Sequence, residues 1–211
     1  GTWLDVGKSA EKTADAVKQI GIFLSHIDEL SAMRRRRPVH PLYTSYPDPV
    51  PVQVTKVYAG GWGNQVPIAV PPEGRIELIM QTLPGETREA VYGEMTEWLD
   101  SVIARHEDAF VTRPEIRHRI RWMVPTAIAP DHPLVTTMAE SARQVLGSDP
   151  PVLGAPFACD MFALTQIFGI PGIVFGPTGA NAHAADEYVD VESLFVFWEL
   201  TSVSSYLLIG F

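Results

Sequence analysis

The stretch from Gly176 to Asp190, GPTGANAHAADEYVD, places one histidine in a loop of small residues. His183 is followed three and four positions later by Asp186 and Glu187. Neutral imidazole is the commonest metal ligand in proteins and also a general base near neutral pH. His183 is therefore a metal ligand, a catalytic base or a simple loop residue. The two carboxylates either orient a metal-bound ring or cap the next helix, and capping is the default expectation.

The single cysteine of the chain offers a second kind of chemistry. Cys159 and Asp160 precede a predicted helix, whose dipole would stabilise a thiolate. Paired with His183, Cys159 would then be a nucleophile. No orienting motif surrounds it, and a lone cysteine is usually a small buried residue. A cysteine hydrolase would be blocked by thiol alkylation and indifferent to a chelator.

The first part of the chain alternates between helical and strand-like patterns. In order, it predicts a helix, two strands, a helix and a third strand, at residues 9–30, 52–61, 75–83, 84–106 and 115–124. One more strand before Gly1 would complete a β-α-β-β-α-β sandwich of the ferredoxin-like kind. Since the chain begins at Gly1 without methionine, we expect it to be a piece of a longer protein.

The second part begins at Val124 and has a different order of predicted helices and strands. It predicts a helix at 132–146, a short helix at 161–168, a strand at 169–177 that is apolar on both faces, and a final helix at 191–208. His183 follows the carboxyl end of that strand, which is where open α/β sheets bind their ligands. The fold class expected from the whole chain is α/β.

Composition excludes several functional classes. The 211 residues carry a net charge of −9, which disfavours nucleic-acid binding because that needs a basic surface. No apolar run is long enough to span a membrane. The run Arg34–Arg37 is expected to be a solvated charge cluster on a proline-rich loop. One cysteine fits a reducing compartment, so we expect a cytoplasmic protein.

The carboxyl-terminal pattern resembles that of the zinc-dependent deacylase and carboxypeptidase family, which includes acetylornithine deacetylase, succinyl-diaminopimelate desuccinylase and aminoacylase. The residues that carry the likeness are the pair Cys159-Asp160, the strand start Gly169-Ile170-Pro171, the turn Gly176-Pro177 and the segment AHAADEYV around His183. The stretches GKSAEKTADAV, YAGGWGNQVP and LPGET in the first part are similar to the family's inserted lid, or dimerisation, domain.

The resemblance implies a ferredoxin-like lid at residues 1–123 and the carboxyl-terminal part of a catalytic zinc-hydrolase domain at 124–211. His183 would bind one of two zinc ions, with cobalt or manganese as alternatives, and the metal-bound water would attack an amide. Asn64 would contact the substrate from the lid, and Gly176 would line the substrate pocket. The substrate would be an N-acyl amino acid or a small peptide, and the lid would form a homodimer.

The family's other metal ligands, its paired glutamates and the lid histidine lie upstream of the matched region. The resemblance therefore implies that this chain holds no complete catalytic set and is inactive alone. Gln81 stands where many members carry an arginine, so the acyl group and amino acid stay open. A non-catalytic dimerisation or binding module, pairing through the strand at Val52 to Tyr58, is the alternative function.

Overall fold

The computed structural model describes residues 15–60 and 70–196 of the chain. It divides into two compact units, Gly1–Trp122 (unit 1) and Met123–Phe211 (unit 2). Helices and strands are both present, which confirms the α/β fold class. The identity of unit 1 as a lid and of unit 2 as part of a catalytic domain stays a prediction.

Two helices open the described part of unit 1. Helix α1 spans Ala16–Ser25 and begins at the cap Asp15, whose Oδ1 accepts a hydrogen bond from the Lys18 backbone N–H at 2.9 Å. Helix α2 spans Ile27–Arg35. The single helix expected at 9–30 is therefore wrong in two respects, because it breaks at His26 and continues to residue 35; residues 9–14 lie outside the described residues.

The break at His26 has a local cause. The His26 backbone has φ −109° and ψ 5°, and its carbonyl accepts a hydrogen bond from the Trp98 indole N–H at 3.1 Å. The Glu29 backbone N–H donates to the same carbonyl at 3.1 Å, in the short helical pattern of a new first turn. A side chain inserted into the backbone ladder is a common origin of a kink.

Strands β1 (Val52–Ala59) and β2 (Gly74–Met80) pair antiparallel, with Val52 opposite Met80 and Ala59 opposite Gly74. Both strands confirm the sequence prediction. Helix α3 (Arg88–Arg105) follows, and the Thr87 hydroxyl caps it by accepting from the Ala90 backbone N–H at 3.2 Å.

The third strand predicted at 115–124 is not a strand in the structure. β1 and β2 are the strands of the sheet in the described part of unit 1, and residues 115–124 pair with neither of them. Ile116 still packs against the core of the unit, whereas Ile120 is 66% exposed. Of the alternating apolar residues in this segment, Ile116 therefore packs in the core and Ile120 does not.

The core of unit 1 lies between the helices and the strand pair. Its buried side chains are Phe23, Leu30, Trp98, Leu99 and Val102. The rings of Phe23 and Trp98 stand 5.6 Å apart in a tilted arrangement. Each such apolar side chain contributes about 1.5–3 kcal/mol on burial, so this cluster is the main stabilising feature of the unit.

The arginine cluster departs from its sequence expectation at Arg34, whereas Arg35 and Arg36 are exposed as expected. The side chain of Arg34 is fully buried and donates to Glu94 Oε2 at 2.7 Å, to the Gln81 carbonyl at 2.9 Å and to Glu86 Oε2 at 3.0 Å. Arg37 pairs with the same two glutamates from the partly exposed side. Because α2 extends through residue 35, Arg34 lies inside the fold and not on a loop.

Unit 2 is built around helix α4 (Pro133–Leu146). His132 caps its first turn, its Nδ1 accepting from the Leu134 backbone N–H at 3.1 Å, and Gly147 ends it with a left-handed φ of 70°. These ends confirm the predicted helix. The short predicted helix at 161–168 contains the π-helical segment Ala163–Ile167.

The buried strand predicted at 169–177 is wrong for the described structure, in which these residues are neither strand nor helix. Its apolar side chains are exposed or half-buried, with Ile170 at 52% and Val174 at 47%. The short strands β3 (Gly179–Ala180) and β4 (Tyr188–Val189) then form a small hairpin. Helix α5 begins at residue 191 and is described to residue 196.

Candidate functional site

His183 lies in the loop that joins β3 to β4. These strands pair antiparallel, with Gly179 opposite Val189 and Ala180 opposite Tyr188. The Asp190 backbone N–H donates to the Thr178 carbonyl at 2.9 Å and closes the base of the hairpin. The loop of residues 181–187 is thus held at both ends while its tip is open to solvent.

The loop backbone adopts an uncommon conformation at three positions. Asn181, His183 and Asp186 have φ values of 60°, 63° and 58°, in the left-handed region that most side chains avoid. Asn, Asp and His are the residue types enriched there. The Asn181 amide donates to the Asp186 carbonyl at 3.2 Å, and the Ala184 N–H donates to the Asn181 carbonyl at 2.8 Å. The sequence of the loop is therefore suited to its tight bends.

Glu187 fixes the backbone of the candidate ligand. Its Oε2 accepts a hydrogen bond from the His183 backbone N–H at 3.3 Å. The His183 residue is exposed, and within residues 15–60 and 70–196 its ring makes no hydrogen bond or ion pair. Both ring nitrogens are consequently open to an external group.

The expected capping role of Asp186 and Glu187 is wrong. Helix α5 begins at residue 191, so its cap is Asp190, whose Oδ1 accepts from the backbone N–H groups of Glu192 at 2.8 Å and Ser193 at 3.2 Å. The helix begins too late for either carboxylate to reach its first turn. Glu187 instead serves the loop that carries His183.

Gly176 and Asn64 are the two predicted substrate contacts. Gly176 is exposed, and a Cβ placed there would meet no atom within 4 Å, which is compatible with the predicted pocket lining. Asn64 lies outside the described residues. Both roles stay predictions.

The cysteine alternative gains no support from the geometry. Cys159 is half-buried, and no hydrogen bond joins it to His183 in the part of the chain that the structure describes. A thiolate nucleophile needs a base within hydrogen-bond reach.

The described residues fit a metal ion only in part. Among them, no group of three or more His, Cys, Asp or Glu side chains could hold a metal. A catalytic zinc takes three protein ligands plus water, so His183 can supply one nitrogen but cannot hold the ion alone. Any complete site requires ligands from elsewhere.

Comparison with known proteins decides the family. The model of peptidase family M20/M25/M40 matches residues 7–200. The chain belongs to this family. The match spans both units and confirms the family-level resemblance read from the motifs around His183.

One solved structure of the same family is similar to this chain in fold. The crystal structure of an M20 family metallo-carboxypeptidase, Sso-CP2, from Sulfolobus solfataricus is similar with a TM-score of 0.54 and 16% sequence identity. The similarity covers 97% of this chain and 49% of that one, so this M20 chain spans about half the length of the carboxypeptidase. No curated protein sequence matches the chain significantly.

No helix in the described ranges of this M20 chain has the length and apolar character needed to cross a membrane.

Sequence reasoning missed two polar clusters of unit 1. Arg34 was assigned to the surface, although it continues the helical spacing of Phe23, Ile27 and Leu30, and this spacing was the available signal. His26 and His106 are hydrogen-bonded to each other in the structure. They lie 80 residues apart along the chain, and no local pattern could have paired them.

Proposed function

We propose that this chain is part of a metal-dependent hydrolase that cleaves the amide bond of N-acyl amino acids or similar small amides, in the manner of acetylornithine deacetylase. His183 would be one ligand of a site for two zinc ions, or for cobalt or manganese. The observation that carries the proposal is the exposed, unpartnered His183 ring on a constrained hairpin in a chain of the M20 family.

The chain's own residues would position the ligand and the substrate. A metal ion supplies a Lewis acid and lowers the pKa of a bound water toward about 7. His183 would donate one imidazole nitrogen, while Glu187 holds the His183 backbone through its N–H. Gly176, which has open space where a side chain would stand, would admit the substrate, and Asn64 would contact it from unit 1.

Exposed apolar side chains of unit 2 support the proposal that its site is incomplete. The most exposed large side chains of its described part are Ile167, Phe168, Val191 and Phe195, which are 63%, 67%, 65% and 71% exposed. Exposed apolar side chains of this kind mark a surface suited to contact with other polypeptide. We infer that further polypeptide of the catalytic domain covers it and brings the remaining metal ligands, in keeping with the length of the Sulfolobus carboxypeptidase.

Unit 1 would act as the lid and the dimerisation surface. Its strand pair exposes Val57, Tyr58 and Ile79 at 50%, 51% and 60%. Such a strand pair invites association with a second copy. If unit 1 pairs but no preparation hydrolyses an amide, the chain is a non-catalytic dimerisation module, which is the second candidate function.

The test is an amidase assay on the protein expressed with its native flanking sequence. A panel of N-acetyl and N-succinyl amino acids and dipeptides is offered before and after chelation, and again after Zn²⁺ is restored. We expect turnover that is lost on chelation, recovered with zinc and unaffected by thiol alkylation. Turnover that survives chelation but not alkylation would instead establish the Cys159 alternative.

A further inference from the structure

Two histidines of unit 1 face each other across the junction of its helices. His26 sits between α1 and α2, His106 ends α3, and their Nε2 atoms are 2.9 Å apart. Both residues are half-buried, and their rings are tilted by 49°. Two imidazole nitrogens at this distance share a proton in a hydrogen bond.

Glu29 determines which nitrogen of His26 is available. Its Oε1 lies 2.7 Å from His26 Nδ1, and Arg105 holds both carboxylate oxygens of Glu29, at 2.9 Å and 2.5 Å. The hydrogen bonds from Arg105, and then from His26, lower the pKa of Glu29 to about 2, so this carboxylate accepts only. In the neutral His26 ring, Nδ1 then donates to Glu29 and Nε2 presents a lone pair to His106.

This arrangement has the form that proteins use for metal-binding histidines. A ligating imidazole donates its other N–H to a carboxylate or a carbonyl, which fixes the tautomer and the ring orientation. His26 is held in that way by Glu29, which is in turn held by Arg105. The chain thus orients one imidazole lone pair toward a second imidazole at partial burial.

We propose that His26 and His106 form a binding site for a divalent transition-metal ion such as Zn²⁺, separate from the site that contains His183. The metal replaces the proton between the two Nε2 atoms. His106 gives up this Nε2 proton to solvent and takes one up from solvent at Nδ1, so the ring changes tautomer with no net release of a proton. Zn–N bonds of about 2.0–2.1 Å at a tetrahedral angle need the two nitrogens about 3.3 Å apart. The two Nε2 atoms must move about 0.4 Å apart, and each ring must also turn so that both lone pairs converge on the ion.

Water would complete the coordination. A cleft of about 360 Å³ adjoins His106 and is lined by Lys18, Arg105, Glu107 and Asp108, among others. No third His, Cys, Asp or Glu joins the pair in the described residues, so two protein nitrogens and cleft water are the donor set. This set suits a borderline-soft cation such as Zn²⁺ better than Mg²⁺ or Ca²⁺.

The test is a titration of the chain with Zn²⁺ alone, followed through the histidine ring signals by NMR. We expect the signals of His26 and His106 to shift together and saturate at one equivalent. In His106→Gln the zinc-dependent shift of His26 should disappear. The matched control is His118→Gln, which removes an exposed histidine and should leave the shift intact.

A structural loss is separated from a ligand loss by the Trp98 indole N–H signal. That group donates to the His26 carbonyl, so an unchanged signal shows that the junction is intact in His106→Gln. Glu29→Gln should weaken zinc binding by about 10–100-fold, because the neutral amide orients the ring less strongly. His26 and His106 signals that ignore Zn²⁺, or a His26 shift that persists in His106→Gln, would overturn the proposal.

Discussion

The two units of this chain use their apolar residues in opposite ways. In unit 1, Phe23, Leu30 and Trp98 are 7%, 0% and 8% exposed and close a core between helices and strands. In unit 2, Phe168 and Phe195 are 67% and 71% exposed, and the buried apolar side chains of its described residues are Val135, Ala142 and Phe162. Unit 1 buries its large apolar side chains within itself, whereas unit 2 exposes several of its own to solvent.

The same contrast holds for polar chemistry. Unit 1 pairs its charged groups internally, as Arg34 does with Glu86 and Glu94. Unit 2 leaves the His183 ring without a described partner on a loop of left-handed residues. A closed core suits the lid role proposed for unit 1, whereas an exposed histidine ring and exposed apolar side chains suit the incomplete site proposed for unit 2.

The largest expected effect is a difference in hydrogen exchange. Amides of the α2 and α3 core, such as those of Leu30 and Leu99, open only on unfolding of unit 1 and should exchange at least about a thousandfold more slowly than those of residues 170–175. The measurement is native-state exchange by mass spectrometry. In the protein with its native flanking sequence, residues 170–175 should become protected; equal protection of both regions in the chain alone would break the comparison.

Replacing the buried Arg34 tests whether internal ion pairs stabilise unit 1. Arg34→Ala leaves Glu86 and Glu94 without their buried partner, and breaking a buried pair costs about 3–5 kcal/mol in the free energy of unfolding. Arg36→Ala, at an exposed position two residues away, should change it by less than about 0.5 kcal/mol. Chemical denaturation measures both, and equal effects would mean that the Arg34 network is not structural.

The smallest expected effect concerns acid stability of unit 1. The pKa of Glu29 is lowered from 4.5 to about 2, first by the hydrogen bond from Arg105 and then by that from His26. The unfolded chain binds the proton more readily, so the stabilisation is present above pH 4.5 and is lost as pH falls toward about 2.

Glu29→Gln should therefore flatten the dependence of unfolding free energy on pH between 4.5 and about 2. Glu97→Gln is the matched control, since Glu97 is exposed on α3 and makes no hydrogen bond or ion pair among the described residues. Denaturation midpoints measured across this range test the difference. A slope that is the same in wild type and Glu29→Gln would show that the carboxylate gains nothing from folding.

The sequence predicted correctly those helices and strands whose pattern and end signals lie within the element itself. Strands β1 and β2 follow from β-branched alternation, and α4 follows from its apolar spacing between His132 and Gly147. The break of the first helix could not be predicted, because it depends on the Trp98 indole, which comes from 72 residues further along the chain. For Arg34, helical spacing alone indicates the buried side of α2, and its glutamate partners, 60 and 52 residues away, have no local signal.

The family was predictable from the sequence, whereas the residues that would complete the candidate site were not. The motif around His183 indicated the family, and the family match confirms that level. The strand at 169–177 was predicted from its apolar character alone, but a strand also needs a neighbour to accept its hydrogen bonds. Local sequence cannot supply that neighbour when it belongs to another part of the fold.

The central claim is that His183 supplies one ligand to a metal site that other polypeptide completes. The direct measurement is bound zinc and amide turnover in the protein with its native flanking sequence, for wild type, His183→Ala and the exposed-histidine control His118→Ala. The account predicts that His183→Ala loses bound zinc and turnover while the unit 1 exchange pattern is retained, and that His118→Ala matches wild type. Full zinc occupancy and undiminished turnover in His183→Ala would contradict it.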